Sequence, residues 1–314
     1  MSPLPKPLQT AVLLLVFRRV DTTALVLDAI RQARPLRLYV AADGFVPGDA
    51  PMEQACQATR DLVEASVDWP CELKLRYANE NRGCRSGVSE ALGWFFTEES
   101  EGIVLEDDIV PNPSFFRFCE ELLERYRHDN RIGSITGLSL LPGQPRDPGD
   151  YRFSIYNHCW GWASWRRAWR AYDAELKTWP EFRQQDWLNQ IGGRSFSRYF
   201  GGQLEQIRLG RCDTWDYIWS YSLWRQGMLT CVPAVNLVRN IGLAHPDATH
   251  THHRSAPWDG RLYGPAEAGD LVFPLNHPAV ILADQQWDRE IFRRHHHPAL
   301  WKRLISRFLH LISG

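Results

Sequence analysis

Over the first 140 residues short apolar runs alternate with amphipathic stretches, and that rhythm restricts the fold more than any other feature. Val12 to Phe17 reads as a strand and Thr22 to Ala33 as a helix. Arg37 to Ala42 and Met52 to Ala65 repeat the pair, as do Glu72 to Tyr77 and Arg85 to Thr97. Ile103 to Leu105 is a fourth strand and Pro113 to Arg127 a fourth helix, with Asn112 as N-cap and Pro113 at its first position. Ile132 to Thr136 is a fifth strand. Strands joined through helices lie parallel, because each crossover returns the chain to the same edge. The predicted class is α/β: a doubly wound, mainly parallel sheet with helices on both faces. Such sheets bind ligands outside the carboxyl ends of their strands. Two acidic groups fall there: Asp43-Gly44 after the second strand, and Glu106-Asp107-Asp108 after the fourth.

From about Tyr151 the texture changes. The stretch WGWASWRRAWRAYDAELKTWPEF is Trp-rich and helical in spacing, most of it core. A short strand follows at Leu229 to Val232. The change marks the second half of one domain over residues 1–255. Residues 256–314 read as a Pro-, Gly- and His-rich extension. It ends in an amphipathic helix over 299–312, with Trp301, Leu304, Ile305, Phe308, Leu309 and Ile312 on one face and basic residues elsewhere. Two fates suit that helix: docking on the rest of the protein, or peripheral contact with an anionic membrane surface. Within the extension, His295-His296-His297 reads as a solvated turn.

A formal net charge of −1 gives no reason to expect a nucleic-acid partner. The seven cysteines are odd in number and none form C-x-x-C, which reads as reduced and structural. The apolar run Ala11 to Phe17 is too short to span a membrane. A cytoplasmic protein is expected, peripheral at the inner membrane face if the terminal helix binds there.

Three adjacent carboxylates repel one another. A hard divalent cation such as manganese or magnesium would relieve that repulsion, since it takes oxygen ligands from one or two carboxylates and completes its shell with water and substrate phosphates. The plainer alternative is a set of solvated loop acids or a helix-entry cap.

The segment VLEDDIVPNPSFFRF resembles the D-x-D region of nucleotide-sugar glycosyltransferases with the GT-A fold. It is similar to the animal N-acetylglucosaminyltransferase that begins hybrid N-glycans, and more so to a group of bacterial sugar transferases. The likeness covers most of residues 11–255, with DTTALVLDAIRQARPLRLYVAADG, ENRGCRSGVSEALGWFF, WGWASWRRAW, TWDYIW and NLVRNIGLAHPDATHT following in order.

The resemblance implies that Asp108 binds the metal, Asp107 lies near the donor sugar hydroxyls and Glu106 near the ribose. Asp43 would accept a hydrogen bond from the pyrimidine base, although Asp-Gly is also a turn signal. Arg19 matches a basic residue facing the nucleotide, in Phe17-Arg18-Arg19-Val20 where the bacterial pattern is F-N-R-P; a solvated charge is the alternative. Asn81, Gly83 and Arg85 open the third helix, whose N-terminus would face the donor; a polar turn and cap is the alternative for each. Asp216 in TWDYIW stands where the animal enzyme has Trp-Asp-Asp-Trp, and is the expected catalytic base. It equally suits a helix-start acid, with Asp213 as the cap. Trp162 would offer an exposed indole on the acceptor side, and His250 a further metal ligand.

The implied function is metal-dependent transfer of a hexosyl or N-acetylhexosaminyl group, with inversion. The donor would be a nucleotide sugar, UDP-linked, and the acceptor a glycan of a cell-surface polysaccharide, a lipid-linked oligosaccharide or a protein. Two alternatives stand beside it: a non-catalytic carbohydrate- or nucleotide-binding protein on the same fold, and a sugar-1-phosphate nucleotidyltransferase. The latter usually carries a glycine-rich loop after the first strand, and FRRVDTT has no glycine.

Overall fold

β1 (Val12–Val16) is apolar at every position because it is covered twice. Leu13 and Leu15 enter the core on one face of the sheet, while Val12, Leu14 and Val16 enter the core on the other, as the two-residue period of a strand requires. The computed structural model describes residues 6–141, 149–243, 245 and 269–296.

After β1 the chain forms α1 (Val20–Ala33), β2 (Arg37–Ala42), α2 (Ala50–Ser66), β3 (Glu72–Tyr77), α3 (Gly83–Glu98) and β4 (Glu101–Glu106). β5 (Ile109–Pro111), α4 (Pro113–Arg125) and β6 (Ile132–Thr136) follow. Asn112 caps α4, its Oδ1 accepting from the Ser114 amide at 2.7 Å, with Pro113 in the first turn. The second half adds β7 (Tyr151–Ser154), β8 (Trp162–Trp165), α5 (Arg166–Trp169), α6 (Trp179–Gln184), α7 (Trp187–Arg208), α8 (Asp216–Arg225), β9 (Leu229–Pro233) and β10 (Val238–Asn240). α9 (Gln285–Ile291) and a π-helical turn over Phe292–His296 end the described chain.

Eight strands form one sheet in the order β3-β2-β1-β4-β8-β6-β9-β7. β7 and β8 run against the other strands, so the sheet is mixed, within an α/β layout with helices on both faces. β5 and β10 pair antiparallel as a separate ribbon. Beneath one face lie Val26, Ile30, Phe115, Phe118 and Leu122 from α1 and α4. Leu92, Phe95 and Phe96 from α3 cover the other, with Trp162, Trp169 and Trp219. A third cluster joins α6, α7 and α8 to Trp287 and Ile291.

The helical reading of the Trp-rich stretch is corrected at β8. Trp162–Trp165 is a strand, all four residues buried, inserted antiparallel between β4 and β6. Alternation sends Trp162 to one core and Ala163 and Trp165 to the other. The C-terminal extension is bound to the body where it is described. Asp288 accepts from Ser154 Oγ at 2.6 Å, and Asp284 pairs with Arg152 at 3.3 Å. The solvated-turn reading of the His run is corrected as well: His295 is buried, and the His296 ring lies 5.5 Å from that of Tyr156. His297 and the helix predicted over 299–312 lie outside the described residues. Among the described residues no helix is long and apolar enough to cross a membrane. All seven cysteines are free thiols.

Candidate active site

Chain order places the functional crevice. From β1 the chain moves to β2 and β3 on one side, then returns to β4 on the other side of β1. The connections therefore diverge between β1 and β4, the position where open α/β sheets bind ligands. The strands are parallel, with Leu15 beside Glu106, so their carboxyl ends emerge together. One end delivers Phe17, Arg18 and Arg19; the other delivers Glu106, Asp107 and Asp108.

The two ends are joined directly. The Phe17 amide donates to Asp107 Oδ2 at 3.3 Å. Arg19 Nη1 lies 3.0 Å from Asp108 Oδ2 and 3.8 Å from Asp107 Oδ1, with the three side chains only 12–17% exposed. The Arg19 carbonyl accepts from the Thr23 amide at 3.1 Å and from Thr23 Oγ1 at 2.5 Å, which pins its backbone at the start of α1. A third wall comes from the β5–β10 ribbon. Past β10, the Ile241 amide donates to the Asp108 carbonyl at 2.9 Å. Gly242 then packs so closely that a Cβ there would sit 2.0 Å from Asp108 Oδ2. Only glycine lets the backbone approach this carboxylate.

Burial sets the electrostatics. It pushes Asp107 up to about 7, with help from the neighbouring Asp108 charge and partial relief from Arg19. Glu106 is raised well above the usual carboxylate range by burial, then by the charges of Asp108, Asp107 and Asp216. Asp108 is raised by burial against the pull of Arg19. The site is thus short of positive charge, with Arg19 the cation that offsets all three acids.

Asp216 opens α8 and belongs to the same electrostatic group, since its charge raises Glu106, Cys84 and Cys159. Its Oδ1 accepts from the Tyr217 amide at 2.9 Å and from Thr214 Oγ1. Asp213 does not cap α8. Its oxygens accept instead from the Cys84 and Arg85 amides at 2.9 and 3.1 Å, so it caps α3, more than a hundred residues away in sequence. Gly83 enters that helix at φ +77°, and a Cβ there would lie 2.8 Å from Asp213 Oδ2.

That cap corrects two expectations. The α3 N-terminus already holds an internal carboxylate, which satisfies the amides expected to face a donor anion. Arg85 is engaged with the Ala174 carbonyl and with Glu175, not with the acids at the strand ends. Asn81 braces the loop, donating to the Gly44 carbonyl at 3.1 Å and accepting from the Gly83 amide at 3.1 Å. Asp43 Oδ1 accepts from the Gly44 and Arg82 amides, both at 2.8 Å, and burial raises its carboxyl. Both residues lie between the ends of β2 and α3, across β1 from the acid cluster.

Trp162 is the third correction. It is 0% exposed and packs on Trp215 and Trp219, with ring centroids 5.7 and 5.8 Å away. No sugar reaches its indole; it supports the start of α8 from below. His250 lies outside the described residues. Sequence reasoning missed Gly242 and His245, and gave Asp213 to α8 where it caps α3. His245 pairs with Asp21 at 3.1 Å and faces Asp107 and Asp108 electrostatically. The usable signal was Gly242 itself, a glycine two residues past a short strand.

Among the described residues no three His, Cys, Asp or Glu side chains converge as a complete metal cage. A hard divalent cation needs only one or two carboxylates when water and phosphate fill the remaining positions. The donors here are carboxylate oxygens, and the Arg19 guanidinium already stands between two of them as a substitute cation. The residues present fit such an ion.

No protein-family model and no curated protein matches the chain. Similar solved structures include mouse xyloside xylosyltransferase 1 in its apo form, at 10% identity and TM-score 0.36 over 70% of this chain and 83% of that one. The inositol-1-phosphate CTP transferase from T. maritima gives 11% and 0.35 over 72% and 85%. HddC from Yersinia pseudotuberculosis gives 11% and 0.32 over 51% and 78%. At these values the likeness assigns no residue a role.

Proposed function

We propose that the chain is a divalent-metal-dependent glycosyltransferase. It would move a sugar from a UDP-sugar to a hydroxyl of a glycan, lipid-linked or protein acceptor, with inversion. The observation that supports this best is the meeting of Arg19, three carboxylates and the Asp216 charge at the divergence of β1 and β4. Asp108, with Asp107 beside it, would hold manganese or magnesium, which when bound stabilises charge on a departing diphosphate. Asp43 would accept from the uracil N–H, and Asn81 would hold the loop that carries the base. Asp216 would take the proton of the acceptor hydroxyl as its oxygen attacks the anomeric carbon. The bond from that carbon to the diphosphate oxygen breaks on the opposite face, and UDP leaves. Thr214 and Tyr217 fix the orientation of the Asp216 carboxylate for that step.

Donor turnover tests the proposal. Incubation with a panel of nucleotide sugars and manganese is expected to release UDP slowly from at least one UDP-sugar, and EDTA should stop the release. No nucleoside diphosphate from any donor would point to a binding protein. Pyrophosphate formed from UTP and a sugar-1-phosphate would point to nucleotidyl transfer.

A further inference from the structure

We infer that Arg19 occupies the cation's place until a diphosphate arrives, so that metal and donor bind together and the metal alone binds poorly. The inference rests on the transferase proposal and adds an order of binding to it. Arg19 reaches Asp108 at 3.0 Å and Asp107 at 3.8 Å, the two carboxylates assigned to the ion. A guanidinium does not deprotonate in proteins, so it cannot vacate the site by losing a proton. It must be drawn away by another anion.

A diphosphate is suited to that exchange. Guanidinium groups bind phosphate oxygens through paired, charge-assisted hydrogen bonds. The Arg19 backbone stays fixed through Thr23, while its long side chain can turn from carboxylate to phosphate. A cation arriving without a nucleotide meets two carboxylates that share a positive partner; one arriving with a diphosphate meets them released. Gly242 packs closely against the same Asp108 Oδ2 that Arg19 holds, which leaves little room around that oxygen while the guanidinium is in place.

Coupling of this kind is reciprocal: whatever factor UDP gives to manganese affinity, manganese gives to UDP affinity. The test is a titration of the intact chain with MnCl2, following free Mn2+ by electron paramagnetic resonance, with and without UDP. Wild type should bind Mn2+ weakly alone and on the order of tenfold tighter with UDP. Arg19→Gln should bind Mn2+ without UDP on the order of tenfold tighter than wild type does, and the gain from UDP should shrink. Arg19→Lys keeps the charge and should stay as weak as wild type for Mn2+ alone.

Arg19→Gln binding Mn2+ no tighter than wild type would overturn the inference. If that variant fails to fold, the other two chains decide. Equal Mn2+ affinity of wild type with and without UDP, or Arg19→Lys binding Mn2+ alone as tightly as wild type does with UDP, would overturn it. Absence of Mn2+ binding to wild type even with UDP would instead remove the metal site, a different failure.

Discussion

Asp108→Asn is expected to fold, to melt slightly above wild type in metal-free buffer at pH 8, and to lose sugar transfer at least about a hundredfold. The two effects have one origin. Asp108 is buried beside Asp107 and Glu106, and its charge is the largest neighbouring influence raising both. A carboxyl whose folded value lies above its unfolded one makes the folded state bind more protons. Stability is then greatest below the unfolded value and declines as pH rises through the folded one, near 7 for Asp107. At pH 8 the metal-free protein therefore holds its acids against their preference. Removing the Asp108 charge relieves its two neighbours, against the loss of its ion pair with Arg19, and the melting temperature rises slightly. It also removes the main oxygen ligand from the proposed ion. Calorimetric melting and a transfer assay check the pair of effects. A variant that melts well below wild type, or that retains transfer, would show Asp108 to be structural.

Asp216→Asn should lower kcat by about 10²–10⁴, the usual cost of losing a general base, while UDP–manganese affinity stays within about twofold. The amide oxygen can still accept from the Tyr217 amide and from Thr214 Oγ1, so the start of α8 is preserved. Asp213 continues to hold that loop to α3. What disappears is the capacity to take a proton. Initial rates alongside calorimetric Kd values separate this from a packing defect, which would lower binding and melting temperature together.

The first half of the fold was legible because strand and helix periods alternate there, and each period records a local fact about which face is covered. The acid triplet was legible for the same reason, since a strand that ends in three carboxylates announces its own carboxyl end. Features decided by distant partners were not. Trp162–Trp165 is a strand because β4 and β6 flank it, and tryptophans at 162, 165 and 169 imitate a helical face. Asp213 has the spacing of a local cap, yet the amides of Cys84 and Arg85 win it. Arg19 and Asp108 are 89 residues apart, and nothing near either one records the pairing. The His run reads as a solvated turn, yet His295 is buried and α9 leads the His296 ring onto Tyr156 and Tyr199 of α7.

Melting the wild-type chain with UDP and MnCl2, together and separately, tests most directly whether a nucleoside diphosphate and a divalent ion share the crevice between β1 and β4. Ligand at a hundred times its Kd adds about 2.7 kcal/mol to the native state, which corresponds to about 5 °C or more for a chain of this size. The expected result is a shift of that order with both present and little with manganese alone. A transition unmoved by every nucleotide and nucleotide sugar tried with manganese would contradict it.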